Sequence, residues 1–490
     1  MTKAAVPEIR VRCCNSAPVQ LDGEFVLYWM IASRRTTWNF AMDRAVEWAQ
    51  KLQYPLIVLE ALRSDYRWAS DRLHNFLLDG MAENACWLEE KRVLYYPYLE
   101  PERGAGKGLL EAMSAHACVV VTDDYPGFFL PRMVAAAARK LSVRLEAVDS
   151  NGLLPMRAAE KCFSTAYEFR RFLQKNLPFH LSDFPKASAL SQSNFPPAAK
   201  IPREVAARWP RISADALNSS RKFLADLPID HKVGPVEGRG GPSAAMALLK
   251  DFTRNKMESY FVKRNEPEQD ATSGLSPYLH FGHISPHQIF CEITKQEGWT
   301  PNHLAVRATG SRAGWWGASE TVEAFLDQLI TWRELGFNFC AQRDDYDQFS
   351  SLPKWAIKTL SDHERDERTH VYTLAQFERS ETHDPLWNAA QTQLVREGKI
   401  HNYLRMLWGK KIIEWTRGPE DALEIMIELN NKYALDGRDP NSYSGIFWCL
   451  GRYDRPWGPE RPVFGKVRYM SSENTARKFP VMDFLRRYAS

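Results

Sequence analysis

The chain has 490 residues, 44% hydrophobic and 25% charged, with a formal net charge of +4. That length calls for two or more domains with a sizeable core, and the composition is ordinary for a globular protein. No window approaches the length of a membrane span, which excludes a helical membrane protein, and the mild basic balance neither demands nor excludes nucleic acid, because a local basic groove can sit on a nearly neutral surface.

Residues 1–22 read as a flexible N-terminal arm without the long apolar stretch of a secretory signal. Residues 23–156 alternate short apolar runs with amphipathic segments. Strands are expected at Phe25–Trp29, Pro55–Leu59, Val93–Tyr96, Cys118–Thr122 and Val143–Val148, and helices at Thr37–Leu52 and Ser70–Glu90. This alternation predicts an α/β domain with a doubly wound parallel sheet. No G-x-G-x-x-G follows the first strand, so a ligand here binds by other means than the dinucleotide fingerprint. Residues 157–235 contain Leu177-Pro178, Phe184-Pro185 and Ile201-Pro202 and read as a linker with helical pieces. Residues 236–490 read as an all-helical domain, with helices over Ala244–Tyr260, Thr321–Cys340, Pro385–Trp415 and Pro419–Tyr433.

Eight cysteines show no C-x-x-C pair and no zinc spacing. They are expected to be free thiols in a reducing, cytoplasmic setting, with no metal and no iron–sulfur cluster. Sixteen tryptophans are unusual. Trp387, Trp408, Trp415 and Trp448 are interleaved in the last third with His, Asn, Arg and Asp. One indole is ordinarily core packing. Several among polar groups that are costly to bury alone make a cofactor a serious candidate.

The blocks Gly274-Leu-Ser-Pro-Tyr-Leu-His-Phe-Gly282, Thr382-His-Asp-Pro-Leu-Trp-Asn388, His401–Lys411, Leu435-Asp-Gly-Arg-Asp-Pro-Asn441 and Phe464-Gly-Lys-Val-Arg-Tyr-Met470 resemble the class II cyclobutane pyrimidine dimer photolyases of the photolyase/cryptochrome superfamily. Tyr28-Trp-Met30 and Val121-Thr-Asp-Asp124 are similar to that family's antenna domain, and the likeness runs from about 24 to 488. The resemblance implies an antenna-type α/β domain, a helical FAD domain, and light-driven repair of dimers in DNA. It allows an antenna chromophore such as 8-hydroxydeazaflavin. The protein is expected to be monomeric and to have no membrane partner.

Further roles follow from the same resemblance. Tyr260, Thr272, Ser273, Gly274, Leu275, Ser276, Arg333, Asn402, Arg405, Asn430 and Asp436 are implied FAD contacts. Small hydroxylated residues and glycine let donors approach phosphate oxygens, although Thr272–Ser276 also reads as a helix cap and turn. Arg405 and Asp436 are the implied ion pair beside the flavin, and Asn430 offers it both a donor and an acceptor. Trp332, Trp448, Gln328 and Met406 are implied lesion contacts, Arg455 and Trp457 fill the gap left by a flipped lesion, and Arg438 and Lys411 contact phosphates, as do Lys410, Lys466 and Arg468. Trp408, Trp387 and Trp415, in that order, are the implied relay for re-reducing the flavin, with Tyr372 as an added terminal donor. Gln328 departs from the family's glutamate; it donates and accepts but carries no charge and transfers no proton. Asn402 replaces a glycine and Leu407 a tyrosine, and 301–320, with Trp315-Trp316, is divergent.

Three other readings compete. A cryptochrome-like photoreceptor shares the fold, but the chain ends about twenty residues after Met470, without a long tail. A (6-4) photolyase is disfavoured because that chemistry is associated with a pair of histidines, whereas here His401 is followed by Arg405 and Met406. A non-catalytic DNA-binding flavoprotein is favoured only by Gln328.

Overall fold

In the computed structural model, residues 6–191, 196, 200–218 and 223–489 are described. The chain divides into two compact units: 1–159 with 176–249 and 275–298, and 160–175 with 250–274 and 299–490. The linker expected at 157–235 is therefore shared out, most of it belonging to the first unit.

The first unit is built on six strands, β1 Val11–Cys13, β2 Phe25–Trp29, β3 Leu56–Leu62, β4 Leu94–Leu99, β5 Ala117–Asp123 and β6 Leu145–Val148, in the order β1-β6-β5-β2-β3-β4. The five expected strands are all present and parallel. Apolar side chains run through β2 and β5 without alternation because both faces of those strands are covered. Helices α1 Phe40–Leu52, α2 Asp71–Glu90, α3 Leu109–Ser114 and α4 Leu130–Lys140 make the crossovers. Asn39 starts α1: its side-chain oxygen accepts from the N–H groups of Ala41 and Met42.

The flexible arm needs correction over its described part. β1 pairs antiparallel with β6, and Arg10, fully buried, donates to the carbonyls of Asp149, Gly152 and Leu153. A buried guanidinium that satisfies the carbonyls after β6 ties the segment down. Residues 1–5 lie outside the described residues.

Between β2 and β5 the strand order reverses, the position where sheets of this type bind ligands at their C-terminal ends. The turn after β2 offers three N–H groups, from Ile31, Ala32 and Ser33, and all three donate to the Asp123 carboxylate at 2.7–3.0 Å. Tyr28 adds its hydroxyl at 2.8 Å. An internal carboxylate thus occupies the place where a glycine-rich turn would hold a phosphate, which explains why the fingerprint is absent.

The second unit is helical. Its main elements are α5 Glu320–Leu326, a π-helical segment Asp327–Trp332, α6 Arg333–Gln342, α7 Pro385–Glu397, α8 Asn402–Glu414, α9 Pro419–Tyr433 and α10 Pro440–Cys449. The single helix expected over Pro385–Trp415 is two, because Gly398 takes a left-handed conformation (φ 66°) and ends α7. Glycine also sets the packing distance. A Cβ on Gly409 of α8 would lie 2.6 Å from the Cys449 sulfur and 3.0 Å from the Met426 sulfur, so α8 sits closer to α9 and α10 than any larger residue allows. No described helix is long and apolar enough to cross a membrane.

Candidate active site

Trp332 and Trp448 come together first. Trp332 ends the π-helical segment, and Trp448 lies near the end of α10. Gly336 lets these helices approach, since a Cβ there would lie 2.7 Å from Asn441 backbone. The two half-buried indoles stack at 4.4 Å and 13°. They form one aromatic platform, not two separate walls. The Trp332 Nε1–H donates to Asp327 at 3.1 Å, and Arg170 clamps Asp327 through two hydrogen bonds at 2.9 and 3.2 Å. This bidentate pair fixes the indole, and nothing in the local sequence marked Arg170 for that role. Gln328, four residues before Trp332 in the same widened turn, is half-buried and has no side-chain hydrogen bond to the protein among the described residues. Met406 is half-buried, its sulfur 3.9 Å from that of Cys449.

On α8 and α9 the polar residues also converge. Arg405 and Asp436 pair at 3.0 Å, each about a fifth exposed. Asn430 is buried; its amide nitrogen donates to Ser442 at 2.8 Å and to Asn431 at 3.2 Å, leaving its carbonyl oxygen without a protein partner among the described residues. Both ring nitrogens of His401, the Nε of Arg405 and the Nε of Arg264 are buried without a hydrogen-bond partner among the described residues. Burial pushes His401 down to about 4, so it is neutral. Orphaned donors of this kind are expensive unless a ligand meets them. The residues present therefore fit a large polar cofactor such as FAD.

The other implied cofactor contacts are more dispersed. Tyr260 is buried against Phe252 and Phe325, with the Arg264 guanidinium 5.6 Å from its ring. Arg333 is buried over the Phe337 ring. Asn402 is exposed at the first position of α8. Thr272, Ser273 and Gly274, the last with φ 66°, belong to the second unit; Leu275 and Ser276 belong to the first, where Ser276 opens a short helix, Ser276–His280.

Behind this region lies an indole chain. Trp408, Trp387 and Trp415 are 2%, 0% and 3% exposed, so all three are shielded from water. Trp408 donates to Gln391 at 2.8 Å, Trp387 donates to the Trp408 carbonyl at 3.0 Å, and the Trp387 and Trp415 rings are 6.1 Å apart. Asp384 caps α7 at Trp387 N–H. Beyond Trp415 come Tyr372, with its ring at 5.9 Å, and His383 at 4.9 Å. The sequence named Tyr372 but missed Gln391 and His383, although His383 stands inside a quoted block.

Three of the expected phosphate contacts are placed otherwise. Arg438 is buried and its guanidinium is used up on the carbonyls of Asn431, Ala434 and Leu435. Lys411 is 5% exposed, paired with Glu414 at 2.7 Å and set over the Trp415 and Tyr469 rings. Lys410 is buried too, donating to the Cys449 carbonyl, and burial lowers it to about 8. Long basic side chains are satisfied inside as well as on a surface, and a one-dimensional motif does not distinguish the two. Arg455, Trp457 and Arg468 are exposed, with the two guanidiniums 4.9 and 5.2 Å from the Trp457 ring, and Lys466 is exposed beside Glu460.

The eight cysteines are all free thiols. Among the described residues no group of three or more His, Cys, Asp or Glu is placed to hold a metal ion.

No protein-family model matches the chain. Among curated proteins it is 36% identical to the deoxyribodipyrimidine photo-lyase of Methanothermobacter thermautotrophicus, over 98% of this chain and 97% of that one. It is 34% identical to the photo-lyase of Arabidopsis thaliana, over 94% and 88%, and 33% identical to that of Potorous tridactylus, over 96% and 82%. Among solved structures it resembles a class III photolyase from Agrobacterium tumefaciens (TM-score 0.65, 18% identity, 96% of this chain and 87% of that one). It also resembles a Synechocystis cryptochrome (TM-score 0.66, 14% identity, 95% and 88%), a likeness that concerns the fold alone.

Proposed function

Since the chain belongs to the deoxyribodipyrimidine photo-lyase family, we propose that it repairs cyclobutane pyrimidine dimers in DNA under light, as a class II enzyme with FAD in its helical unit. The observation that carries this reading is the Trp332–Trp448 platform, with the Gln328 amide, unpartnered among the described residues, one turn away. An indole platform offers apolar contact to a flipped pyrimidine pair, and the amide supplies a donor to a pyrimidine carbonyl. Bound FAD, when reduced and excited by light, supplies one electron to the dimer. The Arg405 guanidinium offers a positive charge that favours an anionic cofactor ring, while Asp436 holds it in place. The Asn430 oxygen is available to a ring N–H, with Ser442 and Asn431 holding the amide nitrogen. Trp408, Trp387 and Trp415 make the oxidisable path by which electrons re-enter. Arg455 and Arg468 meet phosphates, and Trp457 fills the vacated stack.

An antenna of the 8-hydroxydeazaflavin kind suits the first unit. There Tyr66, Trp68, Phe128 and Phe129 cluster past the C-terminal ends of β3 and β5, with ring separations of 4.5–6.2 Å. A flat heteroaromatic ligand is what such a cluster stacks with.

The test is blue-light repair of a thymine-dimer oligonucleotide by the purified, photoreduced protein with a dark control. Light-dependent loss of the dimer is expected. A normal flavin spectrum and photoreduction without repair would leave the relay standing and remove the lesion reading.

A further inference from the structure

The indole chain ends on a phenol with an imidazole nitrogen within hydrogen-bond distance. The Tyr372 backbone N–H donates to the Trp415 carbonyl at 2.9 Å, which pins Tyr372 to the end of the chain, with its ring edge-on to the Trp415 indole at 5.9 Å. The Tyr372 Oη accepts the backbone N–H of His383 at 3.0 Å. That contact uses one acceptor site of the phenol oxygen and leaves its proton to be donated to a partner. That partner is Nδ1 of the same His383, at 2.8 Å. With the phenol as donor in this contact, Nδ1 is the acceptor and the ring hydrogen is on Nε2. His370 stacks on the His383 ring at 3.7 Å and holds its plane.

We infer that His383 is the proton acceptor that makes Tyr372 a proton-coupled electron donor to Trp415. The inference rests on the reading of Trp408, Trp387 and Trp415 as a relay. In the step, one electron passes from Tyr372 to the oxidised Trp415 and restores the indole. The Tyr372 O–H bond breaks, its proton moves to Nδ1 of His383, and a neutral tyrosyl radical faces an imidazolium. An external thiolate then supplies one electron to the phenoxyl oxygen, the imidazolium returns the proton, and the thiolate leaves as a thiyl radical. Positive charge is thereby removed from the buried indoles to a surface pair, which opposes its return.

The surroundings keep the base ready. Partial desolvation and the neighbouring His370 lower the His383 pKa, against opposing contributions from Asp384 and Glu414, with Lys411 acting in the same sense as His370. The ring is therefore neutral and able to accept at neutral pH. Tyr372 and Trp415 are the remaining aromatic groups packed on it.

The experiment is flash photolysis of the flavin-loaded protein, following tryptophan and tyrosyl radical absorbance in H2O and D2O across the imidazole pH range. Native protein, Tyr372→Phe, and His383→Ala with and without added imidazole are compared. His383 is exposed, so its truncation spares the core. In the native protein the tyrosyl radical should replace the Trp415 radical, more slowly in D2O and more slowly as pH falls. In His383→Ala its formation should slow by about a hundredfold, the scale of a lost general base, and imidazole should restore it. A merely structural histidine would show neither the isotope effect nor the rescue. Tyrosyl formation at the native rate in His383→Ala, or a Trp415 radical with no tyrosyl successor, would overturn the inference alone. No tryptophan radical in the native protein would overturn it together with the relay.

Discussion

Gln328 stands where the family resemblance implies a glutamate. Its amide has no protein partner among the described residues and belongs to the turn that carries Trp332. Gln328→Glu adds a group able to share a proton or carry charge beside the reacting dimer. It should raise the repair quantum yield, while affinity for dimer DNA stays within about threefold, ~0.6 kcal/mol. Equal yields in parallel photon-counted assays would show that the departure is neutral. A second prediction concerns His74, buried between the carbonyls of Ser70 and Arg63 and lowered by burial to about 4. The unfolded chain takes up that proton first, near 6.5, so between pH 6.5 and 4 it holds more protons than the folded chain. Stability is therefore present in full above 6.5 and falls with pH through that window, by about 3 kcal/mol for this one group. His283, lowered by burial to about 3, extends the loss in the same direction. Urea unfolding at a series of pH values measures it; a flat profile from 6.5 to 4 would contradict both assignments. At this scale the sequence was legible for identity and not for burial. Trp332 and Trp448, named by motif, stack on each other, whereas Arg438 and Lys411, named for their charge, are enclosed.

Helices and strands were the most legible level, because a period of two or of 3.6 is written directly in the apolar pattern. Pro419–Tyr433 and Phe25–Trp29 match the expected bounds. What escaped was set by tertiary contact. β1 exists because β6 offers it an edge, and the widened turn at Asp327–Trp332 inserts into an otherwise unbroken helical pattern. Such widened turns concentrate at functional sites, and this one carries both Gln328 and Trp332. The packing of α8 supplies a test. Gly409→Ala would force its methyl against the Cys449 and Met426 sulfurs. Sulfur side chains yield in part, so the expected cost is about 1–3 kcal/mol, with a lower melting temperature. The same displacement shifts Trp408, the preceding residue, so photoreduction should slow even in the folded fraction. Unchanged melting and unchanged photoreduction would mean that α8 has slack that the contact distances do not reveal.

For the whole molecule, a net charge of +4 on 490 residues is too small to drive DNA binding by bulk attraction. Affinity must come from a few local contacts, and the number of phosphates they neutralise sets the salt dependence. The basic residues of the second unit sort by burial. Arg455 and Arg468 are exposed beside Trp457, while Lys410, Lys411 and Arg438 are enclosed and paired with the protein's own oxygens. Arg455→Ala and Arg468→Ala should each lower the slope of log affinity against log salt by about one, and weaken binding to damaged and undamaged duplexes alike. Lys411→Met keeps most of the side-chain volume and should leave the slope unchanged, because its ammonium is already neutralised by Glu414. Fluorescence anisotropy with dimer-containing and intact duplexes over a salt series separates these outcomes. A slope lost with Lys411 and kept without Arg455 would mean that the enclosed lysine opens towards DNA and that burial in the free protein is not the guide to its phosphate contacts.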